Sequence, residues 1–359
     1  MHSQIKEQNM RELALYQAEL RRKPRLRYLF FEMTDKCNLR CRHCGSACTG
    51  GNSTFLNYEV ICQTMEAVKT RYGTTDTMIC LTGGEPLLHP AIYDAIKTAH
   101  EMEFPVGITT NGTLIDNISA RHLAQAGLDT VAVSLDGIGE IHDSFRCAKG
   151  SFDRALLGIH SLKKAGLEPQ VITVVHKENY TQLEKMYELL NREGIYSWRL
   201  VNIDPIGRAA VNKHLLLDAN ELNGLFSFIR DKRFDSNNQM EVIYGCSHFV
   251  TYKYENEIRD YYFQCGAGTM VASVMANGNI GACLDIERRE DLVQGNIYQD
   301  DFIDIWENRF EAFRRNRAEH SIACKNCEYS DVCMGDSAHT WDYDADEPRY
   351  CVANIIMEV

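Results

Sequence analysis

Three cysteines, Cys37, Cys41 and Cys44, fall in a C-x3-C-x2-C pattern directly after the apolar run Tyr28 to Met33. Three thiolates on one tight loop suit an iron-sulfur cubane, because three irons are held and the fourth stays open for another ligand. Such a cluster can act on a small molecule as well as carry electrons. The same thiols could instead belong to a zinc site, with His43 or Cys48 as the fourth donor at short range. A second cysteine field lies downstream: Cys265, twelve residues, Gly278, four residues and Cys283, then Cys324-x2-Cys327-x5-Cys333 and, after seventeen residues, Cys351. Four cysteines opening with C-x2-C are also good zinc spacing; beside the N-terminal triad, iron-sulfur is favoured. Cys62 and Cys80 sit in apolar helical and β patterns, where a free thiol acts as a small buried hydrophobe.

The elements that must position these groups follow from periodicity. Six apolar β-type runs, at about 27–34, 76–81, 105–110, 129–135, 170–175 and 197–203, are separated by helical patterns at about 57–72, 90–103, 116–126, 152–165 and 180–193. This alternation predicts a parallel sheet with helices outside it, an α/β fold. Gly127 and Gly166 fit as helix C-caps. A helix is expected over 1–26, ended near Pro24. A polar connector, with a helix near 218–233, leads to the cysteine-dense region. The expected layout is an N-terminal helix over 1–26, a barrel over 27–210, a connector over 211–240 and a small cysteine-rich domain over 241–359.

The unusual residues gather where the strands end. Strand one ends in the cysteine loop, strand two in Thr82-Gly83-Gly84-Glu85-Pro86, and strand three in Thr109-Thr110-Asn111-Gly112-Thr113. Strand four ends in Ser134-Leu135-Asp136-Gly137 and strand six in Asp204-Pro205-Ile206-Gly207-Arg208. In parallel α/β barrels the site forms at the C-terminal strand ends, so one concave face is the expected site. Glycines at Gly83 and Gly84 let backbone approach a ligand closely, and the Glu85 carboxylate can accept from an ammonium.

The cysteine loop and Gly83-Gly84-Glu85-Pro86 resemble the radical S-adenosylmethionine (SAM) superfamily. The second cysteine field resembles the SPASM extension of such enzymes. The resemblance covers about residues 27–355. It implies a partial (β/α)6 barrel with a small Cys-rich C-terminal SPASM domain, a [4Fe-4S] cluster on Cys37, Cys41 and Cys44, and SAM on its open iron. One-electron reduction would cleave SAM to a 5′-deoxyadenosyl radical that abstracts hydrogen from the substrate. The implied SAM contacts are Gly83, Gly84, Glu85, Asn111, Ser134, Asp136 and Arg146, the last pairing with the SAM carboxylate. Two auxiliary [4Fe-4S] clusters are implied downstream. Cys324, Cys327, Cys333 and Cys351 should form a complete one. Cys265 and Cys283 belong to another that is short of a ligand, because Ser337 stands where the family pattern has Cys. Cys246 is the best extra ligand; the Ser337 oxygen, solvent or substrate could also complete that site.

Most of the SPASM family modifies ribosomally made peptides by cross-linking, epimerisation or side-chain oxidation, so a peptide substrate is expected. A separate leader-recognition protein is a possible partner, since the 36 residues before Cys37 leave little room for a peptide-binding domain there. An electron donor such as flavodoxin or ferredoxin is implied. The alternatives are a radical oxidoreductase of small molecules, such as a tetrapyrrole or sugar, and a non-enzymatic zinc-binding module. The hydrogen donor or general base is not legible; Cys147, Asp204, Cys246 and Tyr244 are candidates by location. A formal net charge of −12 argues against a nucleic-acid partner held through a broad basic face. Arg21-Arg22-Lys23-Pro24-Arg25 is explained by cations at a helix C-terminus. No stretch approaches the roughly 20 apolar residues that span a bilayer, and the polar N-terminus lacks a signal-peptide core. A cytoplasmic protein is therefore expected, in which the fourteen cysteines serve as metal ligands more than as disulfides.

Overall fold

The computed structural model describes residues 2–48, 53–245, 248–263 and 265–357. After helix α1 (His2–Arg22) come β1 (Tyr28–Thr34), α2 (Tyr58–Tyr72), β2 (Met78–Gly83), α3 (Ile92–Glu101), β3 (Val106–Thr110), α4 (Asn117–Gln125) and β4 (Thr130–Ser134). These are followed by α5 (Glu140–Arg146), α6 (Ser151–Lys164), β5 (Pro169–Val175), α7 (Leu183–Arg192) and β6 (Ser197–Asn202). The six strands pair parallel in sequence order. Local chemistry sets the helix starts. The Asn57 side chain accepts the Glu59 N–H at 2.7 Å, and Asp116 with Ser119 forms a capping box at α4. Gly127 and Gly166 follow α4 and α6 with φ of +86° and +85°, a conformation open to glycine at little cost.

Alternation along the strands separates two faces. Leu29, Phe31, Ile79, Leu81, Val131, Val133 and Val171 are buried in the core under the helices, each contributing about 1.5–3 kcal/mol relative to exposure. The opposite, concave face carries Phe30, Glu32, Cys80, Thr82, Ser134, Gln170 and Arg199.

The sheet does not stop at β6. Helix α8 (Ala219–Phe234) leads to β7 (Glu241–Tyr244), which pairs parallel to β6. At the other edge β8 (Val271–Val274) pairs parallel to β1, followed by antiparallel β9 (Asn279–Gly281) and β10 (Gly295–Asn296). Runs of four residues are too short for periodicity to reveal, which is why only six strands were expected. β7 and β8 cover the backbone N–H and C=O groups that the edges of β6 and β1 would expose. They also tie the cysteine-rich region to the barrel.

Helix α1 packs on that region. Met10 is buried with Phe249, Phe263 and Val332, Lys6 pairs with Glu257 at 2.5 Å, and Gln17 donates to the Phe263 carbonyl at 3.2 Å. Among the described residues, no helix is long and apolar enough to cross a membrane.

Candidate active site and metal centres

Parallel strands bring their C-terminal ends to one edge, and the cysteine loop after β1 is gripped there from two sides. From β2, the Gly84 N–H donates to the Thr34 carbonyl at 2.7 Å and the Glu85 N–H to the Lys36 carbonyl at 2.9 Å. A Cβ on Gly84 would stand 2.1 Å from the Lys36 carbonyl oxygen, and one on Gly83 2.4 Å from that of Thr34. Only glycine allows this approach. From the β6 side, a Cβ on Gly207 (φ +53°) would come 2.2 Å from the Gly45 carbonyl oxygen. Arg208 Nε donates to the Cys41 carbonyl at 2.7 Å and Nη1 to the Cys48 carbonyl at 2.9 Å. Asn212 Nδ2 donates to the Arg42 carbonyl at 2.9 Å.

Beneath the loop lie two buried carboxylates. Glu85 accepts from the Thr110 hydroxyl at 2.7 Å and the Asn111 N–H at 2.9 Å, and burial raises its pKa. The Asn111 amide donates to Asn38 Oδ1 at 2.9 Å. Asp136 and Arg146, expected as separate SAM contacts, form one buried ion pair at 2.5 Å. Asp136 Oδ1 also accepts the Val174 N–H at 2.8 Å, and Arg146 Nη1 lies 3.6 Å from Cys41 Sγ. Burial pushes the Cys37 thiol up to about 11, with Cys41, Glu85 and Cys44 adding to the rise. The neighbouring thiols thus disfavour ionisation of Cys37, a cost that a bound iron centre would relieve.

Cys324, Cys327, Cys333 and Cys351 line one cavity together with Phe249 and Tyr329. Cys265 Sγ accepts the Ala338 N–H at 3.4 Å. Asp204 Oδ1 lies 2.8 Å from His248 Nε2 and its Oδ2 3.7 Å from His339 Nδ1. His248 Nδ1 lies 3.3 Å from Asp336. Burial alone would lower the His248 pKa, but Asp204 and Asp336 reverse this and raise it to about 10.

A model of the radical SAM superfamily matches residues 31–190, and one of SPASM, an iron-sulfur cluster-binding domain, matches residues 265–328. The chain carries a radical SAM domain and a SPASM domain. It is 28% identical over 345 residues to an AdoMet-dependent heme synthase of Methanosarcina barkeri, covering 91% of this chain and 96% of that one. It is 29% identical over 317 residues to the mycofactocin maturase MftC of Mycolicibacterium smegmatis, covering 86% and 76%. Streptococcus suis SuiB bound to S-adenosylmethionine has the same fold, with a TM-score of 0.73 at 18% identity over 91% of this chain and 76% of that one.

The radical SAM and SPASM domains bring a SAM-binding [4Fe-4S] cluster, SAM and auxiliary clusters, and the donor sets can be tested against them. Cys37, Cys41 and Cys44 fit a three-thiolate cluster on a loop fixed through its backbone. The four thiols around one cavity fit an auxiliary cluster. Cys265 and Cys283 do not make a four-thiolate site with Ser337, whose hydroxyl is occupied by the His339 N–H at 3.2 Å. The other sequence candidates are scattered. Ser134 lies on the concave face. Cys147, in a left-handed turn at φ +54° after α5, is exposed and directs its thiol to the Ser144 carbonyl at 3.6 Å. Tyr244 is buried on the helix-facing side and donates to Asn202, which takes it off the concave face. Cys246 lies outside the described residues. Cys48 is buried, and its hydrogen bond to Cys44 lowers the Cys44 pKa to about 6. Cys80 faces the concave side and is only half-buried. Sequence reasoning missed the clamp by Arg208 and the histidines on Asp204. The Arg closing the strand-six motif was a signal for the first; His339, two residues past Ser337, was one for the second.

Proposed function

We propose that this radical SAM enzyme acts on a small molecule bearing carboxylate side chains, of tetrapyrrole type. The observation that carries the substrate class is Arg199. It stands on the concave face of β6, half-buried, hydrogen-bonded to Gln170 at 3.4 Å, and no carboxylate pairs with it among the described residues. A cation without a counter-ion inside a barrel suits a carboxylate ligand. Likeness to a heme synthase over nearly the whole of both chains supports the same class.

Bound at these residues, the cluster and SAM supply hydrogen-atom abstraction from an unactivated C–H bond. Cys37, Cys41 and Cys44 hold iron, and the Gly83-Gly84 backbone and Arg208 fix their loop. Arg146 neutralises Asp136 and turns an N–H toward Cys41. Arg199 orients a substrate carboxylate in the lumen.

A second reading, modification of a ribosomally made peptide by cross-linking, epimerisation or oxidation, is favoured by the likeness to mycofactocin maturase. It brings with it a possible leader-recognition protein; a flavodoxin or ferredoxin electron donor belongs to either reading. The test is anaerobic turnover of the reconstituted enzyme with iron coproporphyrin III, a tetrapyrrole with four carboxylate side chains, followed by mass spectrometry. A change in tetrapyrrole mass coupled to 5′-deoxyadenosine formation, weakened in Arg199→Gln mainly through KM, supports the first reading. No change in the tetrapyrrole, with a mass shift in a peptide encoded beside this gene, supports the second.

A further inference from the structure

The first auxiliary site lacks a thiolate at Ser337, and another donor stands beside the gap. One donor atom each of Cys283, Asp285 and His339 lie within 4.8 Å of one another. Among the described residues this is the one group of three or more Cys, His, Asp or Glu donors gathered so closely. Cys265 belongs to the same locality, because its sulfur accepts the N–H of Ala338, the residue before His339. The Ser337 hydroxyl is turned to the N–H of His339 and caps the short turn Ala338–Thr340. The turn that occupies the serine therefore carries the imidazole to Cys283.

We propose that the His339 imidazole ligates the first auxiliary iron-sulfur cluster together with the Cys265 and Cys283 thiolates, in place of the thiolate absent at Ser337. Iron-sulfur centres accept imidazole in place of thiolate, and the exchange raises the reduction potential because a neutral ligand replaces an anion. A ligating histidine is oriented by a carboxylate on its other ring nitrogen. Asp204 is the carboxylate placed for that role, in ion-pair range at 3.7 Å from Nδ1, and the proposal assigns Nε2 to iron. Asp204 is accordingly a positioning residue, held in turn by His248 at 2.8 Å. Asp285 is exposed, and a carboxylate is the poorer ligand for a sulfide-bridged iron. The inference does not depend on which substrate the enzyme takes.

The test uses the full chain labelled with 15N-histidine, reconstituted anaerobically with iron and sulfide, reduced, and read by pulsed EPR with metal analysis. Wild type is expected to show a strong isotropic 15N coupling on an auxiliary cluster, kept in Asp285→Asn and lost in His339→Cys. The His339→Cys variant is expected to keep its iron and to shift that cluster to a lower potential. Absence of the coupling in wild type overturns the proposal whatever the variants do. So does one equivalent of zinc with iron for only two clusters, or a His339→Cys spectrum and potential identical to wild type.

Discussion

Gly84→Ala adds a single methyl group where the structure leaves no space for it. The new Cβ would lie 2.1 Å from the Lys36 carbonyl oxygen, 2.5 Å from its carbonyl carbon and 3.1 Å from the Cys37 nitrogen. Those are backbone atoms of the cysteine loop, so relief requires the loop to move by about 1 Å to reach ordinary carbon–oxygen contact near 3.5 Å, the β2 side sharing the displacement. Gly84 does not have a positive φ, so the effect is steric and not a matter of backbone preference. Overpacking of this kind costs about 1–3 kcal/mol. The Gly84–Thr34 and Glu85–Lys36 bonds add about 1 kcal/mol each if they break. The larger consequence is catalytic, since a 1 Å misplacement of reacting groups can cost about 100-fold in rate. The variant is expected to melt lower, to load the SAM-binding cluster poorly and to release 5′-deoxyadenosine about 100 times more slowly, while the four-cysteine auxiliary cluster loads normally. Full iron content with unchanged SAM cleavage would refute the role given to this glycine.

Two further predictions concern the buried pair and the SPASM domain. Arg146→Met leaves the buried Asp136 carboxyl without its cation, so denaturant unfolding should show a loss of about 3–5 kcal/mol. The double variant with Asp136→Asn should recover part of that loss. Cys351→Ala should remove about four irons and leave the SAM-binding cluster in place; unchanged iron content would exclude Cys351 as a ligand.

The barrel was legible where one stretch of sequence carried both an apolar run and the polar residues that stop it, as in Leu29 to Met33 running into Cys37. The cysteine clusters were legible for the same reason, because C-x3-C-x2-C and C-x2-C are local patterns. β7 and β8 were not legible, since a four-residue strand is defined by the edge it joins. Nor was the Arg208 clamp, whose carbonyl on Cys41 is 167 residues away in sequence. The pairing of Asp136 with Arg146 was hidden differently. Both residues were singled out, but spacing cannot say whether two opposite charges face a ligand or each other. His339 was passed over because the family pattern directs attention to the serine two residues before it.

The most direct test of the central claim compares wild type with a variant carrying Ala at Cys37, Cys41 and Cys44, both reconstituted anaerobically. Iron, sulfide and SAM cleavage are measured under reducing conditions. Wild type should hold about eight to twelve irons, and the variant about four fewer, with 5′-deoxyadenosine formation abolished. Zinc in place of iron and no SAM cleavage in wild type, or undiminished cleavage in the variant, would contradict the account.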